Sequence, residues 1–327
     1  MTDRISKTSP QNHRIGVVIP CYKVGEVILG VIARITETVT HIYVIDDACP
    51  DKTGDLIENR CQDKRVKVLR HSHNQGVGGA VITGYKQALA DECDIIVKVD
   101  GDGQMDPSQI PRFVKPIAES HADYTKGNRF YFLESSFSMP WTRLLGNVGL
   151  SFLTKASTGY WRMFDPTNGF TAIHAKVLAR LPMDKIAKDY FFESDMLFRL
   201  GTLRAMVQDI PMDSIYGDEV SNFNASRVVL PFLKGHIRNF SKRIFYNYLL
   251  RDFQMPTIAI LVGLPMVIFG TLFGATRWAA GAMHNSFASP GTVMLASLPI
   301  LIGSHLLIMA ISHDIQNQPN QPIHPLL

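Results

Sequence analysis

The chain has no Cys-x-x-Cys pair, no apolar leader and no internal repeat, and each absence removes a class of protein. Its four cysteines, Cys21, Cys49, Cys61 and Cys93, are scattered, which reads as reduced structural thiols of a cytosolic domain. Residues 1–14 are polar, so no secretory signal is expected. An excess of one charge is also lacking: the formal net charge is +4 over 327 residues. The basic residues gather between Arg227 and Arg251, which points to a local anionic partner and away from nucleic acid. What is present is a 46% hydrophobic, 19% charged composition, enough for a sizeable core, read as one large domain with an appendage.

The appendage is apolar. Pro256 to Thr276 is a run of 21 residues without a charge, about 31 Å long as a helix and close to a bilayer's hydrocarbon thickness. A second uncharged run, Gly291 to Ser312, follows a short loop holding Gly281, Asn285, Ser289 and Pro290. The pair predicts a transmembrane hairpin, in which Pro265 and Pro299 are tolerable. Arg227, Lys234, His236, Arg238, Lys242, Arg243 and Arg251 precede the first span, whereas the loop between the spans carries only Arg277. That asymmetry puts the large domain in the cytosol. Phe232, Ile237, Phe240, Ile244, Phe245 and Tyr248 interleave with those cations, as in an interfacial amphipathic helix. The expected boundaries are a tail at 1–14, a catalytic domain at 15–217, a linker with the basic helix at 218–252, and the hairpin with its C-terminal tail at 253–327.

In the large domain, strand-like runs at Ile15–Ile19, His41–Ile45, Val66–Leu69 and Ile95–Val99 alternate with helix-like runs at Val27–Thr38, Asp51–Cys61 and Gly78–Ala90. Further on, helices are expected at Pro111–Ser120, Trp141–Thr158 and Phe192–Leu203, with a strand at Tyr124–Gly127. The alternation predicts an α/β fold with a mainly parallel sheet and helices on both faces. Ligands of such sheets bind at the carboxyl ends of the strands, where Pro20, Asp46 with Asp47, and Asp100 with Asp102 fall. VKVDGDGQ, residues 97–104, sets two carboxylates and the Gln104 carboxamide at alternate positions after an apolar strand, oxygen donors that suit Mg²⁺ or Mn²⁺ on a diphosphate. Gly101 and Gly103 let the backbone approach a ligand.

VVIPCYKVGE (17–26), YVIDDACPDKTGD (43–55), HNQGVGGAVITGYKQA (73–88) and VKVDGDGQ occur in an order and spacing that resembles the inverting family 2 glycosyltransferases. Within that family the chain is similar to polyprenyl-phosphate glycosyltransferases such as dolichol-phosphate mannose synthase, over most of residues 15–220. The resemblance implies a GT-A-type mixed, mainly parallel sheet followed by the hairpin. It implies that Pro20, Tyr22 and Glu26 shape the nucleoside pocket, that Asp47 reaches the base, and that Asp46 supports its loop. Lys23-Val24 stands where the family has Asn-Glu. Asn74, Gly76, Gly79 and Gly84 match an Asn-x-Gly segment beside the donor. Asp100 with Gly101 would meet ribose or metal; Asp102 and Gln104 would complete the metal site, with Mg²⁺ or Mn²⁺ neutralising the leaving diphosphate.

By the same resemblance, Lys126, Arg129, Arg143, Asn147 and Arg227 would meet an acceptor phosphate, as arginine forks do. Asn128 replaces a usual serine. Asp165 and Gly169 in FDPTNGF would line the sugar pocket. Glu193 and Asp195 in FFESDM lie where many members keep a general base, although an ionised phosphate needs little deprotonation and Glu193 or Asp195 would then orient the donor sugar.

The expectation is therefore a metal-dependent hexosyltransferase, moving one sugar with inversion from a nucleotide diphosphate sugar to a polyprenyl phosphate, undecaprenyl or dolichyl. Its partners are donor, acceptor lipid and bilayer, with no nucleic acid, and a homo-oligomer is compatible. An integral membrane protein with a cytosolic catalytic domain is expected, in a bacterial inner membrane in preference to the endoplasmic reticulum. Two alternatives remain: a glycolipid or polysaccharide hydroxyl as acceptor, which would use Asp195 as base, and a non-catalytic membrane scaffold. The Q-x-x-R-W motif of processive synthases is missing.

Overall fold

A computed structural model describes residues 13–131, 141–212 and 225–327, with the side chains of residues 141–145 and 225–228 outside that description. The chain forms two compact units. The first runs to Asn239 and takes in Pro319–Leu327; the second is Phe240–Gln318.

The first unit begins with the expected alternation: β1 (Ile15–Cys21), α1 (Val27–Ala33), β2 (His41–Asp46), α2 (Thr53–Arg60), β3 (Val66–Arg70), α3 (Gly76–Ala90) and β4 (Ile95–Lys98). It continues through α4 (Ile110–Ala118), β5 (Tyr124–Asn128), α5 (Trp141–Thr158), β6 (Thr171–His174), α6 (Ala175–Arg180), α7 (Phe192–Leu203) and β7 (Val207–Pro211). The α8 helix (Ala225–Ile244) then leads into the second unit. The seven strands order as β3-β2-β1-β4-β6-β5-β7. β1 pairs parallel with β2 and β4, β2 with β3, and β5 with β7, whereas β6 runs antiparallel to both β4 and β5. A mixed, mainly parallel sheet results, as anticipated. β6 and β7 are additions to the sequence reading. Each is only four or five residues long and lacks a long apolar run to announce it.

Alternation along β1 explains why helices cover both faces. Val17 and Ile19 join one core with Ile28, Val31, Phe113 and Phe170. Val18 joins the other, with Ile45, Tyr85, Met196 and Leu197, because successive strand side chains point to opposite faces. Phe113 of α4 stacks on Phe170 with ring centroids 3.9 Å apart, which fixes the segment entering β6 over the first core. On the other face, a methyl at Gly84 would strike Val18 and Ile45, so α3 lies directly on β1 and β2.

In the second unit, a π-helical stretch, Phe245–Arg251, precedes α9 (Met255–His284) and α10 (Pro290–Gln316). Both helices are long and apolar enough to cross a membrane, and only 17% and 11% of their most apolar windows are buried, unlike core helices of a soluble protein. They touch through small residues: a methyl at Gly263 would strike the Gly303 carbonyl, and one at Gly270 the Ala296 carbonyl, the close approach that helix pairs in lipid favour. At one end of the pair Arg243 reaches Asp314 with two bonds of 2.7 and 3.0 Å, and Tyr248 donates to the same carboxylate.

Candidate functional site

The strand ends come together at the carboxyl edge of β1, β2 and β4, as the parallel pairing requires. Asp46 ends β2 and accepts from the Cys49 and Gly54 amides, both at 2.8 Å. Asp47 accepts from the Gln75 and Gly76 amides at 2.8 and 2.9 Å and bonds His71 Nδ1 at 2.7 Å. It is 2% exposed. The geometry thus gives Asp47 the task of closing the Asn74–Gly76 loop onto β2. Asn74 Oδ1 takes the Gly76 amide as well, and Gly76 sits at φ +82°, where a lysine carbonyl, that of Lys188, leaves no room for a methyl. Tyr22 is exposed beside Pro20, and Lys23 lies over its ring at 5.5 Å. Glu26 is exposed and pairs with Arg60 at 2.6 Å.

Asp100 follows β4 directly, and Lys98, the strand's last residue, bonds its Oδ1 at 2.7 Å. The same ammonium reaches Glu193 Oε1 at 3.0 Å. Lys98 is 1% exposed; burial disfavours its charge, yet Asp100 and Glu193 together hold it above the ordinary lysine range. Asp102 takes the Gln104 amide at 3.0 Å, curling the loop between Asp102 and the exposed Gln104. Gly103 at φ +78° makes that turn, and at Gly101 a methyl would crowd Cys21 and Ile28.

The segment 164–170 joins this loop to the end of β5. Its Asp165 is gripped by Arg129 through Nε at 2.7 Å and Nη2 at 2.9 Å, with the Arg129 amide adding a third bond. Burial opposes ionisation of Asp165, but the Arg129 fork holds its carboxyl below the usual range. At the other end of the segment, a methyl on Gly169 would collide with Asp100 Oδ2 and Lys98 Nζ. Between them, Lys126 donates to the Asn168 carbonyl; burial pulls Lys126 down to about 8. Four residue steps therefore separate Asp165, gripped by Arg129, from Gly169, packed on Asp100, at most ~14 Å between their Cα atoms. Asn128 donates to Asp209 of β7 at 2.8 Å and takes the Phe130 amide at 2.9 Å, and burial pushes Asp209 up to about 6.

Glu193 and Asp195 occupy the first turn of α7 but face different partners. Asp195 is completely buried. Arg199 Nε and Nη2 donate to it at 3.0 and 2.9 Å, the Ala187 amide at 3.0 Å, and Asn239 of α8 at 3.0 Å. Both of its oxygens are engaged, Oδ2 by Arg199 and the Ala187 amide and Oδ1 by Asn239 of α8, an arrangement suited to a structural anchor and unlike a base presented to a hydroxyl. Asn147 lies half-buried on α5; the Arg143 and Arg227 side chains lie outside the described residues.

Sequence reasoning passed over Lys98, Arg199, Asn239 and Asp209. Lys98 carried a signal: a lysine inside IIVKV predicts a buried charge, which occurs only when paired. The other three meet their partners across 4, 44 and 81 residues, and the last two have no local pattern.

Among the described residues no group of three or more His, Cys, Asp or Glu forms a ready-made metal cage. Two carboxylates and an amide at a loop fit instead the open manner in which Mg²⁺-like ions bind, through one or two protein oxygens with water and substrate phosphates.

Residues 16–181 match the protein-family model described as Glycosyl transferase family 2. The UDP-N-acetylglucosamine–dolichyl-phosphate N-acetylglucosaminyltransferase of Methanococcus voltae is 29% identical over 250 residues, 72% of this chain and 95% of the relative. The undecaprenyl-phosphate mannosyltransferase of Micrococcus luteus is 30% identical over 61% of this chain and 82% of its own length. Among solved structures, glucosyl-3-phosphoglycerate synthase of Mycobacterium tuberculosis, in complex with Mn²⁺, UDP and phosphoglyceric acid, superimposes with a TM-score of 0.53 over 72% of this chain and 80% of that one, at 18% identity. That likeness shows the GT-A-type fold.

Proposed function

The chain belongs to glycosyl transferase family 2, and on that footing we propose that it transfers one hexosyl unit, with inversion, from a nucleotide diphosphate sugar to a polyprenyl phosphate at the cytosolic face of a bacterial inner membrane. The observation that carries this reading is the 164–170 segment, which holds Arg129 at one end and packs on the Asp100–Lys98 pair at the other. A cation suited to an incoming phosphate is thereby fixed within a short span of the acidic loop suited to a leaving diphosphate. The dolichyl- and undecaprenyl-phosphate enzymes among its relatives support the same acceptor class.

The donor's nucleoside would lie along Pro20, Tyr22 and the Asp47-braced Asn74–Gly76 loop, and its sugar toward Asp165 and Glu193. Asp102 and Gln104, with Asp100 beside them, would hold Mg²⁺ or Mn²⁺ on the diphosphate; such an ion acts as a Lewis acid that neutralises charge on the leaving group. Arg129, braced by Asp165, would orient the acceptor phosphate, joined by Arg143, Asn147 and Arg227, while Lys126, fully buried on the Asn168 carbonyl, would support the 164–170 segment from behind. A phosphate oxygen is already anionic near neutral pH, so attack on the anomeric carbon needs no strong base. The burial and full engagement of Asp195 favour this acceptor over a sugar hydroxyl, which would need one. The α9–α10 pair would span the bilayer, with the exposed Leu230, Ile237 and Phe240 of α8 at its interface.

Purified full-length protein incubated with undecaprenyl or dolichyl phosphate, Mn²⁺ and a panel of labelled UDP- and GDP-sugars should yield a labelled glycolipid. Asp102→Asn should lower the yield by about 10²–10³-fold. No glycolipid from any donor would sink the reading, and an unaltered yield with Asp102→Asn would remove the metal from it.

A further inference from the structure

The Lys98 ammonium has no role in the transfer just described, yet it lies between two of the site's carboxylates. It terminates β4, is almost fully buried, and bonds Asp100 at 2.7 Å and Glu193 at 3.0 Å. Asp100 and Glu193 come from positions 93 residues apart in sequence, on a strand-end loop and on α7. Sharing one Nζ brings them to within roughly 6 Å of each other, where two unscreened anions would repel strongly. Gly169 seals the arrangement from the side, since any methyl there would meet both Asp100 and Lys98. A lysine is buried to this degree only when paired, and removing one partner of such a set leaves uncompensated charge.

We propose that Lys98 is a positioning residue that serves as the donor site's built-in counterion: it ties Asp100 to Glu193 and withholds that carboxylate pair from free divalent cations, so that metal enters only together with the nucleoside diphosphate. With Lys98 in place, the cation-facing donors are reduced to Asp102, Gln104 and whatever share of Asp100 its ion pair leaves. That set is too sparse to hold a Mg²⁺-like ion without the diphosphate's own oxygens. Without Lys98, Asp100 and Glu193 become a pair of hard oxygen ligands at a spacing a divalent ion can bridge. The ammonium thus enforces an order of binding and fixes the Asp100 carboxylate for the donor. The inference rests on the donor reading of the Asp100–Gln104 loop.

The test is direct Mn²⁺ binding, followed by electron paramagnetic resonance on full-length protein, with and without UDP or GDP and with no acceptor present. Wild type should bind Mn²⁺ at least tenfold more tightly when a nucleoside diphosphate is added. Lys98→Met should bind Mn²⁺ alone at least tenfold more tightly than wild type does, and its dependence on nucleotide should fall below about threefold. A loss of packing alone would not create a metal site. Equal Mn²⁺ affinity of wild type and Lys98→Met without nucleotide overturns the proposal, while the donor reading stands. If Lys98→Met does not fold, Gly169→Ala decides: it keeps both charges but forces Lys98 and Asp100 apart, and should tighten binding of Mn²⁺ without nucleotide by about tenfold. Unchanged binding overturns the proposal. If neither UDP nor GDP binds wild type with Mn²⁺, the donor reading itself has failed and this inference falls with it.

Discussion

The two halves of the sheet handle buried carboxylates differently. In the parallel half, from β1 to β4, Asp46 and Asp47 are satisfied chiefly by backbone amides within about thirty residues: Cys49, Gly54, Gln75 and Gly76. In the mixed half, three acids lean instead on cations and an amide side chain, Asp165 on Arg129, Asp195 on Arg199 and Asn239, and Glu193 on Lys98, while Asp123 beside β5 still takes backbone amides. An acid held by amides shapes a loop, and its loss leaves neutral donors unpaired. An acid held by a cation balances charge, and its loss leaves a buried ion. The first half therefore resembles a frame for the nucleoside, and the second a charged mechanism whose members depend on one another.

The largest effect that this contrast implies is at Asp195. Asp195→Ala should cost about 3–5 kcal/mol of unfolding free energy, because it strands the Arg199 guanidinium and releases Asn239. Denaturant unfolding of the purified protein measures it. Asp46→Asn should cost less, about 1–3 kcal/mol, since it removes charge-assisted bonds to two amides without orphaning a cation. If the two substitutions cost the same, the distinction between the halves collapses. A further reading follows from Asp195 as an anchor: Asp195→Asn, which keeps the shape, should retain turnover in proportion to folded protein, whereas a catalytic base would lose it at full folding.

The same contrast explains what could be read beforehand. The parallel half was legible because its signals are local: apolar runs of strand length, glycines at turns, and acids at the strand ends. Asp46, Asp47, Asp100 and Asp102 were placed correctly at the sheet edge on that basis. Gly103, read as a tight-turn glycine, does occupy positive φ. The mixed half resisted because its pairings cross long stretches of chain. Nothing near Asp195 announces Asn239, and nothing near Asn128 announces Asp209. Short β6 and β7 escaped for a related reason: each is a strand through its neighbours in the sheet more than through its own pattern. The segment Pro319–Leu327 is the clearest instance. It follows α10 in sequence, yet the Ile323 and His324 amides and His324 Nδ1 all donate to the buried Asp123 at 2.7–3.0 Å, so it belongs with the catalytic unit.

Arg129 tests whether the charged half serves chemistry as well as stability. Arg129→Lys keeps the charge but cannot grip Asp165 with two nitrogens in one plane. Losing one charge-assisted bond of the pair should lower kcat/KM for the acceptor by about tenfold, roughly 1.4 kcal/mol. The donor's KM should move less, because Asp100 keeps its Lys98 partner and Asp102 its bond from the Gln104 amide. A drop confined to the donor would place Arg129 on the wrong side of the reaction and dissolve the link that the 164–170 segment provides.

The smallest effect sharpens the contrast through pH. His236 of α8 is buried, bonds Ser157 Oγ at 2.9 Å, and has its other nitrogen buried without a hydrogen-bond partner. Burial lowers it to about 4 from 6.5, so the folded protein keeps it neutral where the unfolded chain is protonated. Between pH 6.5 and 4 the unfolded state binds more protons, and stability must fall as pH falls. One such histidine contributes a slope of at most about 1.4 kcal/mol per pH unit. His174, stacked on His324 at 4.2 Å, is likewise lowered to about 4, by burial first and by His324 next. Melting temperature should therefore decline from pH 6.5 to pH 4, and His236→Gln should flatten the decline by one histidine's share. An unchanged slope in His236→Gln would mean that the decline comes from His174, because a carboxylate held below its usual range, as Asp165 is, loses its stabilising charge only below about pH 4. That outcome would place the pH response in the stacked His174–His324 pair and leave the α5–α8 contact indifferent to it.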